Sequence, residues 1–164
     1  MRTLYLLRHA KSSWKDASLP DFERPLKKKG RAAAEQMGLF LASKKVDISA
    51  LIVSPAVRTR QTTDIVLRHA SLAVEPQFDQ RIYEASLATL VQIVSEIDVA
   101  NQGAMLVGHN PGMEELLAFL TREARHMPTC ALARIGFDGA SWKEVGRGMG
   151  KLEWFVTPKD LPDD

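Results

Sequence analysis

Arg8 and His9 follow directly on the apolar run Leu4-Tyr5-Leu6-Leu7, within the stretch LYLLRHAKSSW. The run fits a buried strand, and the end of a strand in an open sheet delivers side chains into a crevice. A guanidinium beside an imidazole suits an anion whose phosphorus or carbonyl a ring nitrogen could attack. Neither residue is a turn former. One Arg-His pair is common, so the weight falls on two later runs that end in matching chemistry. Ala50-Leu-Ile-Val53 leads into Ser54-Pro55-Ala56-Val57-Arg58, and Ala104-Met-Leu-Val107 leads into Gly108-His109-Asn110-Pro111-Gly112. Ser54 and Asn110 are placed to cap helices whose first positions would be Pro55 and Pro111. A helix start offers free backbone N–H groups and the positive end of a dipole to an anion, and Arg58 would add a guanidinium fork.

The intervening segments read as the frame for these ends. From Lys15 to Lys29 the chain is polar and broken by Pro20 and Pro25, which predicts a long loop that could act as a lid. Its basic end, Arg24 to Arg31, reads as solvated or substrate-facing, since no aromatic interleaving supports nucleic acid. Ala33, Met37, Phe40 and Leu41 then keep the spacing of a buried helical face. Arg68-His69-Ala70 repeats the tripeptide at Arg8 but has no strand before it, so His69 is expected at a helix end. A short extended segment follows at Ala73 to Phe78. Asp79 to Ala85 reads as a loop carrying Glu84, which is either a general acid over the site or a solvated carboxylate. Ser86 is expected to cap a helix with Leu87, Leu90, Val91, Val94 and Ile97 inward. Beyond Cys130 the pattern predicts an antiparallel meander of three extended segments, Cys130–Phe137, Ser141–Val145 and Leu152–Val156, with Trp142 and Trp154 as packing residues. His126 reads as a loop histidine, and the acidic tail from Pro158 as frayed.

Composition narrows the class. The chain has 164 residues, 45% of them apolar, which suits one domain spanning 1–164. Twenty-two Lys and Arg against 20 Asp and Glu leave a net charge of +2, so charge indicates no nucleic-acid partner. Cys130 is the only cysteine; it reads as core packing and points to a reducing, cytoplasmic setting. The amino terminus is no signal peptide and no run reaches membrane-spanning length, so a soluble protein is expected, a monomer by default. The histidines show no metal-binding spacing, and neither a nucleophile elbow nor a phosphate-binding glycine loop is present. What remains is two arginines and two histidines brought to one crevice, a set suited to phosphoryl transfer without metal or other cofactor.

Three quoted motifs, Arg8-His9-Ala10-Lys-Ser12-Ser-Trp14, Ser54-Pro-Ala-Val-Arg58-Thr-Arg-Gln-Thr62 and Gly108-His109-Asn110-Pro111, resemble the histidine phosphatase superfamily. The nearest branch is the phosphohistidine phosphatase of the SixA type, with Arg24-Pro-Leu26, Gly30, Pro128-Thr129 and Trp142 also similar. The resemblance implies a three-layer α/β sandwich like that of phosphoglycerate mutase, with a mostly parallel sheet between helices and an antiparallel C-terminal edge. It implies that His9 is the nucleophile, that Arg8 and Arg58 bind phosphate, and that His109 completes the pocket. On the same motifs Ser12, Ser54 and Asn110 are expected to contact substrate. Ala10 stands where the wider superfamily carries Gly, and a mutase-type acid loop is not clearly reproduced around Glu84. Neither mutase activity nor a dedicated proton donor is therefore implied. The expected substrate is a phosphorylated protein or small phosphorylated molecule, with phosphohistidine favoured because imidazole leaves phosphorus without strong acid assistance. A broad phosphomonoesterase and a non-catalytic phosphate-binding module are the alternatives.

Overall fold

In the computed structural model, which describes residues 1–162, the first strand lies near the middle of the sheet. This strand, β1 (Arg2–Arg8), pairs parallel with β4 (Gly103–Gly108) on one side and antiparallel with β5 (Leu132–Phe137) on the other. The sheet is completed by β2 (Ala50–Val53), β3 (Pro76–Phe78) and β6 (Gly150–Val156), in the order β3-β2-β4-β1-β5-β6. Strand alternation divides the core. Leu4 and Leu6 of β1 face one hydrophobic cluster, while Tyr5 and Leu7 face the other. The Tyr5 face is covered by α1 (Lys28–Lys44) and α2 (Val57–Ala70), and the Leu4 face by α3 (Leu87–Ser95) and α4 (Gly112–Thr121). β4 is buried along its whole length, as expected of a parallel strand covered by helices on both faces.

This topology decides where the chemistry goes. β1, β2 and β4 run in the same direction, and Arg8 pairs with Gly108 while Val53 pairs with Val107. The residues that follow these strands, His9, Ser54 and His109, therefore leave the sheet along one edge. Backbone bonds fix the exits: His9 N–H donates to Gly108 O at 3.1 Å and Ser54 N–H to Val107 O at 3.1 Å. Cys130 N–H closes the other side by donating to His9 O at 2.9 Å.

Several local expectations are corrected. Ser54 does not cap α2; Ala56 occupies that position without a side-chain cap, and the helix begins at Val57. Asn110 does not cap α4 either, because Pro111, joined to it by a cis peptide bond, takes the cap position. Both polar side chains are drawn instead to tertiary partners. Ser141–Val145 is not extended: Trp142–Glu144 forms a 3-10 turn, leaving a two-stranded β5-β6 hairpin where a three-segment meander was expected. The indole of Trp142 is fully buried and donates to Asn101 O at 2.8 Å, a tertiary bond with no local signature. Lys28, Lys29 and Arg31 lie in the first turn of α1, and Arg24 is buried, not solvated. The tail is ordered at Pro158–Asp160 by a capping box between Thr157 and Asp160; its last residues, 163–164, lie outside the described residues. Ser86 does cap α3, accepting from Thr89 N–H, and burial pushes the Cys130 thiol up to about 12, as packing requires. Among the described residues no helix is long and apolar enough to cross a membrane.

Candidate active site

His9 lies at the back of the site, only 6% exposed. Its Nδ1 is 2.7 Å from Ala10 O. A carbonyl oxygen only accepts, so Nδ1 carries the proton and Nε2 keeps a free lone pair. Burial, reinforced by the positive charges of Arg58, Arg8 and Arg24, lowers its pKa to about 4, with the Ala10 bond opposing. The ring is therefore neutral at physiological pH. Ala10 is itself anchored, its N–H donating to Thr62 Oγ1 at 2.9 Å, and Thr62 Oγ1 donates to Arg58 O at 2.7 Å. The same threonine thus ties the His9 loop to the first turns of α2.

His109 faces His9 with ring centroids 5.2 Å apart. Burial first, then the neighbouring His9 and Arg58 charges, lowers its pKa to about 3. Its Nε2 is 2.7 Å from Ser54 Oγ, and that oxygen also accepts from Ala56 N–H at 3.4 Å. Ser54 is completely buried, with its hydroxyl engaged by His109. Tyr83, from the loop after β3, packs edge-on against His109 at 5.5 Å.

The arginines come from three elements. Arg8, at the end of β1, donates through Nη1 to Met127 O at 3.0 Å, and burial lowers its pKa. Arg58, in the first turn of α2, is 6% exposed and donates to Asp21 O at 2.7 Å and Asp21 Oδ2 at 3.0 Å. Arg24 reaches in from the loop before α1, donating to Ser12 Oγ at 2.7 Å while its guanidinium lies 3.5 Å from the centre of the Trp14 ring. The Nε–H groups of Arg8 and Arg58 are buried with no partner among the described residues. Buried donors are ordinarily satisfied, and cationic ones without a partner suit an oxyanion.

A cleft of about 360 Å³ opens onto this cluster, lined by Asp21, Arg58, Tyr83, Glu84, His109 and Asn110 among others. Asn110 is held by Glu114 Oε2 and Met127 O, each accepting from Nδ2 at 2.9 Å. Glu114 also accepts from Met127 N–H at 2.7 Å and contacts His126 Nδ1 at 2.6 Å, so His126 is an exposed loop residue outside the cluster. Glu84 sits at the rim, exposed and with φ 56°. Ser12, like Arg8, His9 and Arg24, does not line this cleft directly; its hydroxyl is engaged by Arg24. A larger cleft, about 560 Å³ between Arg60 and Phe78, carries none of the histidines. Asp21, Arg24 and Tyr83 were missed as site residues. The Asp21-Phe-Glu-Arg24 spacing is the one sequence signal that could have drawn attention to the first two.

Comparisons with known proteins bear on both fold and cluster. The histidine phosphatase superfamily (branch 1) pattern matches residues 4–98, which hold His9, Arg24 and Arg58. An uncharacterized chloroplastic protein of Arabidopsis thaliana is 34% identical over 173 residues, 96% of this chain and 78% of its own. The candidate phosphohistidine phosphatase SixA from Agrobacterium tumefaciens has the same fold with a TM-score of 0.83 at 29% identity, covering 96% of this chain and 98% of that one. A tungstate complex of the protein histidine phosphatase SixA matches with a TM-score of 0.79 at 23% identity, covering 96% and 98%. Sheet order and flanking layers together define a phosphoglycerate mutase-like α/β sandwich. The chain belongs to the histidine phosphatase superfamily, and its fold is that of the SixA structures.

Proposed function

We propose that the protein is a phosphohistidine phosphatase that works through a covalent intermediate on His9. The observation that carries this reading is the neutral His9 ring, its Nδ1 proton committed to Ala10 O and its Nε2 without a partner among the described residues, surrounded by Arg8, Arg24 and Arg58. Nε2 attacks phosphorus in line, and the P–N bond of the substrate breaks. The departing ring, protonated on its other nitrogen, leaves as neutral imidazole. Water then attacks phospho-His9, phosphate departs, and the electron pair returns to Nε2. Arg8 and Arg58 hold the equatorial oxygens through both steps. With Ser54 donating its hydroxyl proton to His109 Nε2, the Nδ1–H of His109 is left to bond a phosphoryl oxygen. The charge-stabilising groups in this scheme are side chains, so no metal takes part. Asn110 lies against the substrate, and the lone buried Cys130 is compatible with a reducing, cytoplasmic setting.

The decisive experiment incubates wild type and His9→Ala with a phosphohistidine protein in the presence of chelator. Phosphate release and an acid-labile phosphoryl group on His9, in wild type alone, are expected. Binding by both proteins without release would instead identify a phosphate-binding module. Glu84 at the rim supports one rival: if alkyl phosphates are cleaved comparably and Glu84→Gln abolishes that cleavage, the enzyme is a phosphomonoesterase with a carboxylic acid donor.

A further inference from the structure

Resting on that reading of the site, we infer that Asp21 is a positioning residue that presents Arg58 to the phosphoryl group. Asp21 opens the 3-10 turn Asp21–Glu23 in the long segment between β1 and α1. Four bonds meet on it. Arg58 donates from Nη1 to the Asp21 carbonyl at 2.7 Å and from Nη2 to Oδ2 at 3.0 Å; Arg24 Nε donates to Oδ1 at 3.1 Å; the Tyr83 hydroxyl donates to Oδ2 at 2.6 Å. The donors come from α2, from the segment leading into α1 and from the loop after β3, so one residue joins three otherwise separate parts of the chain beside the cleft.

The geometry favours positioning over blockade. Asp21 takes one hydrogen from each terminal nitrogen of Arg58, which leaves the buried Nε–H and the remaining Nη hydrogens unspent. A planar fork held at one end presents its other edge in a fixed direction, whereas an untethered guanidinium must be ordered by the ligand. The carboxylate also offsets repulsion among three guanidinium groups crowded around His9. Its ionised form is well protected: the Tyr83 hydroxyl bond, followed by Arg58 and Arg24, holds its pKa at about 2 against the opposing effect of burial. Through Tyr83, whose ring meets His109 edge-on, the same carboxylate steadies the opposite wall.

The test is titration calorimetry with inorganic phosphate on wild type, Asp21→Asn, Asp21→Ala, Arg58→Ala and the double variant Asp21→Ala/Arg58→Ala. Asp21→Ala is expected to weaken phosphate binding by about tenfold and Asp21→Asn, which keeps an acceptor oxygen, by roughly threefold. Because Asp21 acts through Arg58, the double variant should bind no more weakly than Arg58→Ala alone. Unchanged affinity in Asp21→Ala would overturn the inference. So would tighter binding, the result expected of a carboxylate that competes with phosphate, or losses that simply add in the double variant. Should Asp21→Ala fail to unfold cooperatively, Asp21→Asn decides by the same criteria. The probe requires no turnover, so wild type that binds phosphate yet never releases it from phosphohistidine defeats the phosphatase reading and leaves this one standing. Wild type that binds no phosphate at all overturns both.

Discussion

His9 and His109 are two imidazoles held neutral by burial in a cationic site, at about 4 and about 3 respectively. In a titration followed by ring NMR, both should keep neutral-ring signals down to about pH 5; a midpoint near the ordinary ~6.5 for His9 would contradict the site as described. Folding linkage has a definite sign here. Between about pH 6.5 and 4 the unfolded chain binds protons that the folded His9 refuses, so stability falls on acidification through that window. The loss is on the order of 3 kcal/mol for His9 alone and should shrink in His9→Ala, as read by denaturant unfolding at pH 7 and pH 4.5. Arg58 is the other residue on whose geometry the proposed chemistry depends. Arg58→Lys keeps the charge but loses the fork, and phosphatase activity should fall by roughly 10²-fold, close to the loss in Arg58→Ala, with little change in melting temperature.

The elements position these residues through a few close contacts. The segment after β1 folds back on the entry to α1: Ser13 N–H donates to Pro25 O at 2.8 Å and Lys27 N–H to Lys11 O at 3.0 Å. Gly30, in the first turn of α1, lets this segment lie flat, because a Cβ there would run into the Lys11 carbonyl. Gly30→Ala should therefore displace Lys11 and the Ala10 loop that orients His9. The expected outcome is a loss of about 2 kcal/mol in stability together with a fall in kcat, seen in unfolding curves and steady-state kinetics of the same preparation. Thr62 couples α2 to that loop in the same way. Thr62→Val leaves Ala10 N–H buried without an acceptor, and should cost about 1–3 kcal/mol.

Across the whole molecule, stability and chemistry sit at opposite edges of the sheet. The C-terminal ends of β1, β2 and β4 carry the reactive cluster, while Arg2, Asn101 and Trp142 pin the other edge. Arg2 donates to Val99 O at 3.0 Å and Asn101 O at 2.8 Å, and its guanidinium lies 5.8 Å from the centre of the Trp142 ring. Removing that fully buried indole in Trp142→Ala should cost about 3–5 kcal/mol, read as a lowered melting temperature. Turnover per folded molecule should stay at the wild-type level, since no bond of Trp142 reaches the histidines.

Three apolar runs, each ending in Arg, Ser or Gly-His, were enough by themselves to place Arg8, His9 and His109 at strand ends and Arg58 in the first turn of the helix that follows one. That inference works because a buried strand announces itself by local composition and its end is fixed by the chain. The helices with periodic apolar faces and the Ser86 cap were legible for the same reason. What only the tertiary structure decided are the partners of polar groups far apart in sequence. Ser54 turned from a helix cap into a support for His109, Asn110 was taken by Glu114 and Met127 O, and Arg24 proved buried against Trp14. Asp21 gathered Arg24, Arg58 and Tyr83, residues 3, 37 and 62 positions away, at one carboxylate. Local pattern cannot reveal such bonds, because a buried polar group takes whichever partner the packed elements bring within reach.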